Sequence, residues 1–443
     1  MDKPKPVRFS LKKKLASGEE RVSSLRSAFN RSRLKRRNIA PAEPTIEKST
    51  VEHLKIGLFS ESFHPIQNGV TTSVLTLVSE LRSLGHHVWV FAPEHGNLNE
   101  PETNVVRFPS FITQFNSEYP LAYPFLPRMT LKTHLEKLKM DVVHTHTPFI
   151  LGLTGADLAI ERGIPLISTF HTLYSQYSHY ITFLPEAFTQ GILENFIPWY
   201  YNRCTKIICP SKSTSTYLKQ QGVTRPIEVI PTGVPLPPIE VLTQESRTNV
   251  RKSLGLEIDT PLALYAGRLA PEKNLDWLLE VFVDVRRGSP LAKLAFAGSG
   301  NLMESLQAHA SQLGIEDSVL FLGAKSRSEM DCLYAAADVF CFPSPSETQG
   351  LVVGEARAAG TPVVVIDSGG APETVQHGED GFRVDLGDRG TFANRILSLL
   401  EDHEMRERFS AEALAHAQNH TPEMMAQKVL EVYWSVGAGE GRK

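Results

Sequence analysis

Short apolar runs that end in a Gly, Ser or Pro turn and give way to a helix-length segment recur along most of the chain, and this alternation restricts the fold to parallel α/β layers. LKIGLFSES at 54–62, TTSVLTLVSELRSLG at 71–85 and HHVWVFAPE at 86–94 read as strand, helix and strand, one βαβ unit of about 40 residues. In its helix Val74, Leu77, Val78 and Leu81 fall at i, i+3, i+4 and i+7, with Thr71 and Thr72 as candidate N-caps and Gly85 as the stop. Further strands are predicted at 141–146, 165–171, 206–211 and 227–233. A second series, LALYAGRL, KLAFAGSG, VLFLGA, DVFCFPS and TPVVVID, follows the Pro-rich stretch VPLPPIE at 234–240, which reads as a hinge. The expected fold class is α/β, two Rossmann-like domains facing across a cleft. The divisions are a basic tail at 1–50, an N-terminal domain at 51–235, a C-terminal domain at 241–420, and a final helix and tail at 421–443. Nothing in the sequence assigns that helix to either domain.

With 443 residues, 41% of them apolar, the chain has ample material for two cores. It has no run of 18 apolar residues and no apolar signal core in its first thirty, so a spanning helix and secretion are not expected. Cys204, Cys209, Cys332 and Cys341 lack the paired spacing of a zinc site and read as reduced core thiols. Charge is uneven: residues 1–40 hold thirteen Lys/Arg against three Asp/Glu although the whole chain carries −3. Leu11, Leu15, Val22, Leu25 and Phe29 are scattered through this tail, compatible with an amphipathic helix on an anionic lipid surface or with a disordered basic segment. Nucleic acid would attract such a tail too, but is not the expected partner. Two aromatic-rich segments, 111–129 and 174–201, suit a membrane interface or lipid groove, or packing on their own domain.

Within SPSETQGLVVGEARAAGTP at 344–362, Glu347 and Glu355 stand eight residues apart across a glycine turn that opens a helix. Pro343 and Pro345 stop the preceding strand, which puts Glu347 in the loop at its carboxyl end and Glu355 a turn into the helix. Amides near Gln349, Gly350 and Leu351 would point at an anion while the carboxylates accept hydrogen bonds from hydroxyls, a combination suited to a ligand bearing both phosphate and hydroxyls. Taken alone, two solvated acids at a helix start have an ordinary structural reading. Arg268 and Lys273 leave a strand end five residues apart, placed either to grip one diphosphate or as loose surface cations. Gly69 precedes a helix start where a backbone can approach phosphate, or makes a plain tight turn. His171 ends a strand, and His144 and His146 end another, the latter two read as loop scaffolding. There is no G-x-G-x-x-G, no G-x-S-x-G and no paired metal-ligand motif, which disfavours hydride transfer, serine hydrolysis and metalloenzyme chemistry.

In this order, the loop glycine, the strand-end histidine, R-x4-K and E-x7-E resemble the retaining glycosyltransferases of a large bacterial family with the two-domain GT-B fold, over roughly residues 53–420. The resemblance implies that Arg268 and Lys273 hold the donor diphosphate, that Glu355 takes the ribose hydroxyls, and that Glu347 grips the donor sugar beside the Gln349, Gly350 and Leu351 amides. It further implies that Gly69 approaches the phosphates from the other domain, that His171 lies near the transferring sugar, and that the loop at 323–326 borders the base. SETQGL, in place of a Phe-containing variant, and TFHTLYSQYSHYI are similar to the diacylglycerol glucosyltransferases that make membrane glycolipids. The expectation is transfer of a hexose, with glucose from uridine diphosphate the leading choice, to a lipid acceptor such as diacylglycerol, by an enzyme peripheral on the inner face of the cell membrane. Alternatives are a soluble relative using a sugar, sugar-phosphate or inositol-phosphate acceptor, and a nucleotide-sugar 2-epimerase. No cofactor is implied; magnesium is left open, because no Asp-x-Asp motif calls for a metal and the two cations can take its place.

Overall fold

The computed structural model describes residues 53–95, 103–113, 116–123, 138–173 and 195–439. The basic tail and most of the second aromatic segment, 174–194, lie outside them. β1 (Lys55–Phe59), β2 (His87–Pro93), β3 (Val105–Phe108), β6 (Val142–Thr145), β7 (Leu166–Thr169), β8 (Lys206–Cys209) and β9 (Ile227–Val229) form an all-parallel sheet in the order β3-β2-β1-β6-β7-β8-β9. β4 (Ser110–Thr113) and β5 (Asn116–Ala122) pair antiparallel beside it, so the first aromatic segment begins as a two-stranded ribbon. β10 (Leu262–Ala266), β11 (Lys293–Ala297), β12 (Val319–Gly323), β13 (Val339–Phe342), β14 (Val363–Ile366) and β15 (Gly381–Val384) form a second parallel sheet, β12-β11-β10-β13-β14-β15. In both sheets the order reverses once, between β1 and β6 and between β10 and β13, and the crevice beyond the strand ends at such a point is where ligands bind in open α/β sheets.

Strands buried on both faces read as unbroken apolar runs: β10 is LALYA and β14 is VVVI, with every residue buried. The helices that cover them are α1 (Gly69–Ser83), α2 (Ile150–Arg162), α3 (Lys212–Gln220), α4 (Gln244–Ser253), α5 (Leu275–Gly288), α6 (Met303–Gln312), α7 (Arg327–Ala336), α8 (Leu351–Ala358), α9 (Arg389–Glu401), α10 (His403–Ala417) and α11 (Pro422–Ser435). On α1 the predicted stripe Val74, Leu77, Val78 and Leu81 is buried. Its start differs from expectation: Thr71 and Thr72 lie inside the helix, and the cap is Asn68, whose side chain accepts from the Thr71 amide at 2.9 Å.

α11 settles the question that the sequence left open. Met425, Ala426, Val429, Leu430, Val432 and Tyr433 pack in one cluster with Ile56, Leu58, Val74 and Leu77, so the last helix covers a face of the first sheet beside α1. Each large apolar side chain buried this way contributes about 1.5–3 kcal/mol. The chain therefore crosses between the sheets twice, near 230–240 and 418–421. The two crossings touch: the Val234 amide donates to the His420 carbonyl at 2.9 Å, and a Cβ on Gly233 would lie 2.5 Å from Pro422.

Cys204, Cys209 and Cys341 are buried free thiols and Cys332 is partly buried; burial pushes Cys204 and Cys209 up to about 12. Among the described residues no helix is long and apolar enough to cross a membrane.

Candidate functional site

The reversal point of the second sheet is built from the ends of β10 and β13. After β10 the chain turns through Arg268 into a short 3-10 segment, Pro271–Lys273. Arg268 pairs with Glu272 at 2.5 Å, while Lys273 reaches the neighbouring strand end and forms an ion pair with Glu347. Ser344 Oγ lies 3.3 Å from the same carboxylate oxygen. Both partners are mostly buried, at 13% and 19% side-chain exposure, so solvent screens the pair poorly.

α8 then starts at Leu351 behind Gly350, which holds φ 72°. A side chain there would be doubly excluded, by that left-handed backbone and by Ala371 Cβ at 2.7 Å from an added Cβ. The opening turn of α8 carries orphan amides and the positive end of the helix dipole beside Glu347. Glu355, one turn in, is already engaged: Arg327 at the start of α7 pairs with Oε1, and the Tyr334 hydroxyl donates to Oε2 at 3.0 Å. Arg327 also holds Asp331 at 2.9 Å. Neither Arg327 nor Tyr334 was singled out from sequence; the i, i+7 spacing on α7 puts both toward α8, but nothing local names their partner.

Facing residues come from the first sheet. Gly69 opens α1, and a Cβ added to it would sit 3.7 Å from Leu351, which places this glycine loop against the start of α8. The carbonyl of His171 accepts from the Thr348 hydroxyl at 2.9 Å. Gln349 does not turn its side chain to the cleft: its Oε1 accepts from the Thr232 amide and its Nε2 donates to the Thr232 carbonyl, both at 2.9 Å, and only its backbone remains beside the helix start. Gly69, His171, Lys273, Glu347, Gly350 and Leu351 meet around the 347–351 turn; Arg268 and Glu355 flank it with carboxylate or cationic partners of their own.

Behind His171 lies a histidine stack that the motifs did not reveal. His171 Nε2 is 2.9 Å from His146 Nδ1, and the His146 and His144 rings stand 4.2 Å apart. His144 contacts the Tyr433 hydroxyl and the Thr169 hydroxyl, each at 2.7 Å. The reading of both residues as loop scaffolding is corrected for His144, a buried residue of β6; His146 lies in the loop just after that strand and touches His171 directly. Nε2 of His146 is buried without a hydrogen-bond partner among the described residues. Burial disfavours the cations, lowering His171 to about 4 and His144 to about 3, and His146 well below its ordinary value. Nearby Glu61 caps α2 through the Leu151 amide at 2.5 Å, and burial raises its carboxyl to about 7.

These shifts oppose each other. Between the unfolded histidine value near 6.5 and the folded values of about 4 and 3, the unfolded chain binds more protons, so stability is lost as pH falls through that window. Glu61 binds its proton in the folded state between 4.5 and about 7 and therefore gains stability on acidification. Melting temperature is expected to fall from pH 6.5 to 4, and more steeply in Glu61→Gln; a flat wild-type profile in differential scanning calorimetry would contradict the buried neutral histidines.

Among the described residues no group of three or more His, Cys, Asp or Glu is arranged to hold a metal ion.

Two parallel-sheet, Rossmann-like layers with their reversal points brought together make the GT-B fold. The family described as Glycosyltransferase Family 4 matches residues 67–236 and that described as Glycosyl transferases group 1 matches 246–416, and the chain belongs to these family-4-like glycosyltransferases. It is 34% identical over 315 residues to an alpha-monoglucosyldiacylglycerol synthase of Streptococcus pneumoniae, covering 70% of each chain. It is 31% identical over 338 residues to the protein of the same name from Acholeplasma laidlawii, covering 74% of this chain and 84% of that one. The fold matches the crystal structure of Anabaena HepE in complex with UDP with a TM-score of 0.69, 22% identity, and coverage of 86% and 99%.

Proposed function

We propose that this glycosyltransferase moves glucose from uridine diphosphate glucose to the hydroxyl of diacylglycerol with retention at the anomeric carbon, working on the inner face of the cell membrane. The observation that carries the reading is the Lys273–Glu347 pair set beside the start of α8 and tied through Thr348 to His171. A diphosphate leaving group accumulates negative charge as its bond to the sugar breaks. Arg268, Lys273 and the α8 amides then stabilise it, an electrostatic effect that is usually the largest in such catalysis. Glu347 accepts hydrogen bonds from sugar hydroxyls, Glu355 from the ribose, and the backbone at Gly69 approaches the phosphates. The bond from the anomeric carbon to the diphosphate oxygen breaks, a bond to the acceptor oxygen forms on the same face, and the acceptor proton passes to the departing diphosphate. His171, held neutral, faces the sugar as a hydrogen-bonding group rather than a cation.

The lipid acceptor is supported by the names of the two synthases and by the aromatic and basic segments of the sequence. The test is transfer from radiolabelled nucleotide sugars to diacylglycerol in mixed anionic vesicles, followed by lipid extraction. Labelled glycolipid from one donor is the expected outcome. Label confined to water-soluble product would sink the lipid acceptor and leave a soluble acceptor in its place.

A further inference from the structure

The loop after β14 carries two glycines, Gly369 and Gly370, and then a 3-10 turn, Ala371–Thr374, that ends the approach to the cleft. The Gly370 amide donates to the carbonyl of Glu347 at 2.7 Å, and the Ser368 hydroxyl donates to the carbonyl of Pro345 at 2.9 Å. This loop therefore fixes the backbone that presents Glu347. Three residues on, Glu373 leaves its own domain. Its Oε2 accepts from the Lys212 amide at 2.7 Å and its Oε1 from the Ser213 amide at 2.6 Å. These are the first two residues of α3, which belongs to the first sheet. Ser211 caps the same helix, taking the Thr214 amide in a capping box. One carboxylate of the second domain thus completes the capping of a helix of the first.

We infer that Glu373 is an interdomain latch and a positioning residue for glycosyl transfer: by capping α3 it holds the glycine turn, and through it Glu347, in register with His171. The inference rests on the chain being a glycosyltransferase and is independent of the lipid acceptor. Other contacts cross the same boundary, Thr348 to the His171 carbonyl and Gln349 to Thr232, which Ser73 of α1 anchors from behind at 2.8 Å. Glu373 and Lys212 are exposed, unlike the buried Gln349 and Thr232. An exposed cap breaks and reforms easily, which suits a contact that must release when product leaves. Arg268, Lys273 and Glu355 all lie on the second domain, so most of the grip on the donor is independent of the latch, whereas alignment with Gly69 and His171 of the first domain depends on it.

The test compares Glu373→Ala and Glu373→Gln with the full wild-type chain. Hydrogen exchange is followed at the 211–214 and 230–234 amides with UDP as the probe, and turnover is measured with the donor that the vesicle assay identifies. In Glu373→Ala the Lys212 and Ser213 amides are expected to exchange faster, and so is Thr232, whose partner Gln349 is untouched. Turnover is expected to fall about five- to tenfold, the scale of a lost helix cap, with donor KM changed less than twofold. Glu373→Gln, which keeps one accepting oxygen, is expected between the two. A merely local cap would speed exchange at 212–213 and leave Thr232 protected, and that result overturns the latch; so does wild-type kcat in Glu373→Ala. Exchange is read without any turnover, so failure of the donor or acceptor assignment is distinguishable from failure of the latch.

Discussion

Glu347→Gln is expected to lower kcat by about 10²- to 10³-fold, the range found when one preorganised polar group at a reacting centre is removed. The glutamine keeps the shape of the side chain and can still accept from Ser344, but it removes the negative partner of Lys273. Two effects then act together. Lys273, at 13% exposure, loses the charge of Glu347, and the sugar loses a charged acceptor. Steady-state rates at saturating donor, with circular dichroism to establish folding, decide the matter: near-normal turnover in a folded Glu347→Gln protein would remove this residue from the site. Lys273→Met, which removes the other half of the pair, is expected to raise donor KM as well, because the cation is assigned to the diphosphate.

Gly370→Ala is expected to cost about 10²-fold in turnover, on the scale of a misplacement near 1 Å at a reacting centre, and about 1–3 kcal/mol of stability from overpacking. The reason is space and not backbone freedom. Gly370 has φ −91°, a value that any residue adopts, yet an added Cβ would meet the Thr348 carbonyl oxygen at 2.0 Å and Ser211 Oγ at 2.8 Å. Alanine must drive the Thr348 backbone away from the turn, and Thr348 is the residue bonded to the His171 carbonyl. Gly378→Ala is the contrasting control. It has φ +83° with nothing within 4 Å of an added Cβ, so it is expected to strain the backbone by about 1 kcal/mol and leave turnover alone. Equal losses in both variants, measured by chemical denaturation and steady-state kinetics, would show that general destabilisation and not the donor loop accounts for the effect.

The central strands were legible because a parallel strand covered on both faces must be an apolar run, and β1, β10, β13 and β14 are such runs. Two edge strands, β3, VVRF, and β15, GFRV, were not: each carries an arginine that interrupts the apolar run, whereas the edge strand β12, VLFLG, keeps its run and was read. The cap of α1 was misplaced by three residues because Asn68 sits in a loop of several polar candidates, and only geometry chooses among them. In the site, the spacing of Glu347 and Glu355 and of Arg268 and Lys273 is local and could be read from the chain. Apart from Glu272, four residues from Arg268, the partners around the site are not local. Arg327 is 28 residues from Glu355, His146 is 25 from His171, Tyr433 is 289 from His144, and Glu373 is 161 from Lys212. Such pairs exist only once the sheets have formed.

The return of α11 to the first sheet gives the chain an unusual schedule during its synthesis. A domain made first ordinarily folds first as it leaves the ribosome. Here the first sheet emerges early, but one of its faces is covered by Met425, Val429, Leu430 and Tyr433, which are made only after the whole second sheet. The second sheet has its own cluster, which draws on no residue beyond Phe409 among its buried members, so it can close before its predecessor does. Until residues 422–435 arrive, Ile56, Leu58, Val74 and Leu77 lack part of their cover, and the nascent first domain must wait with an open apolar face.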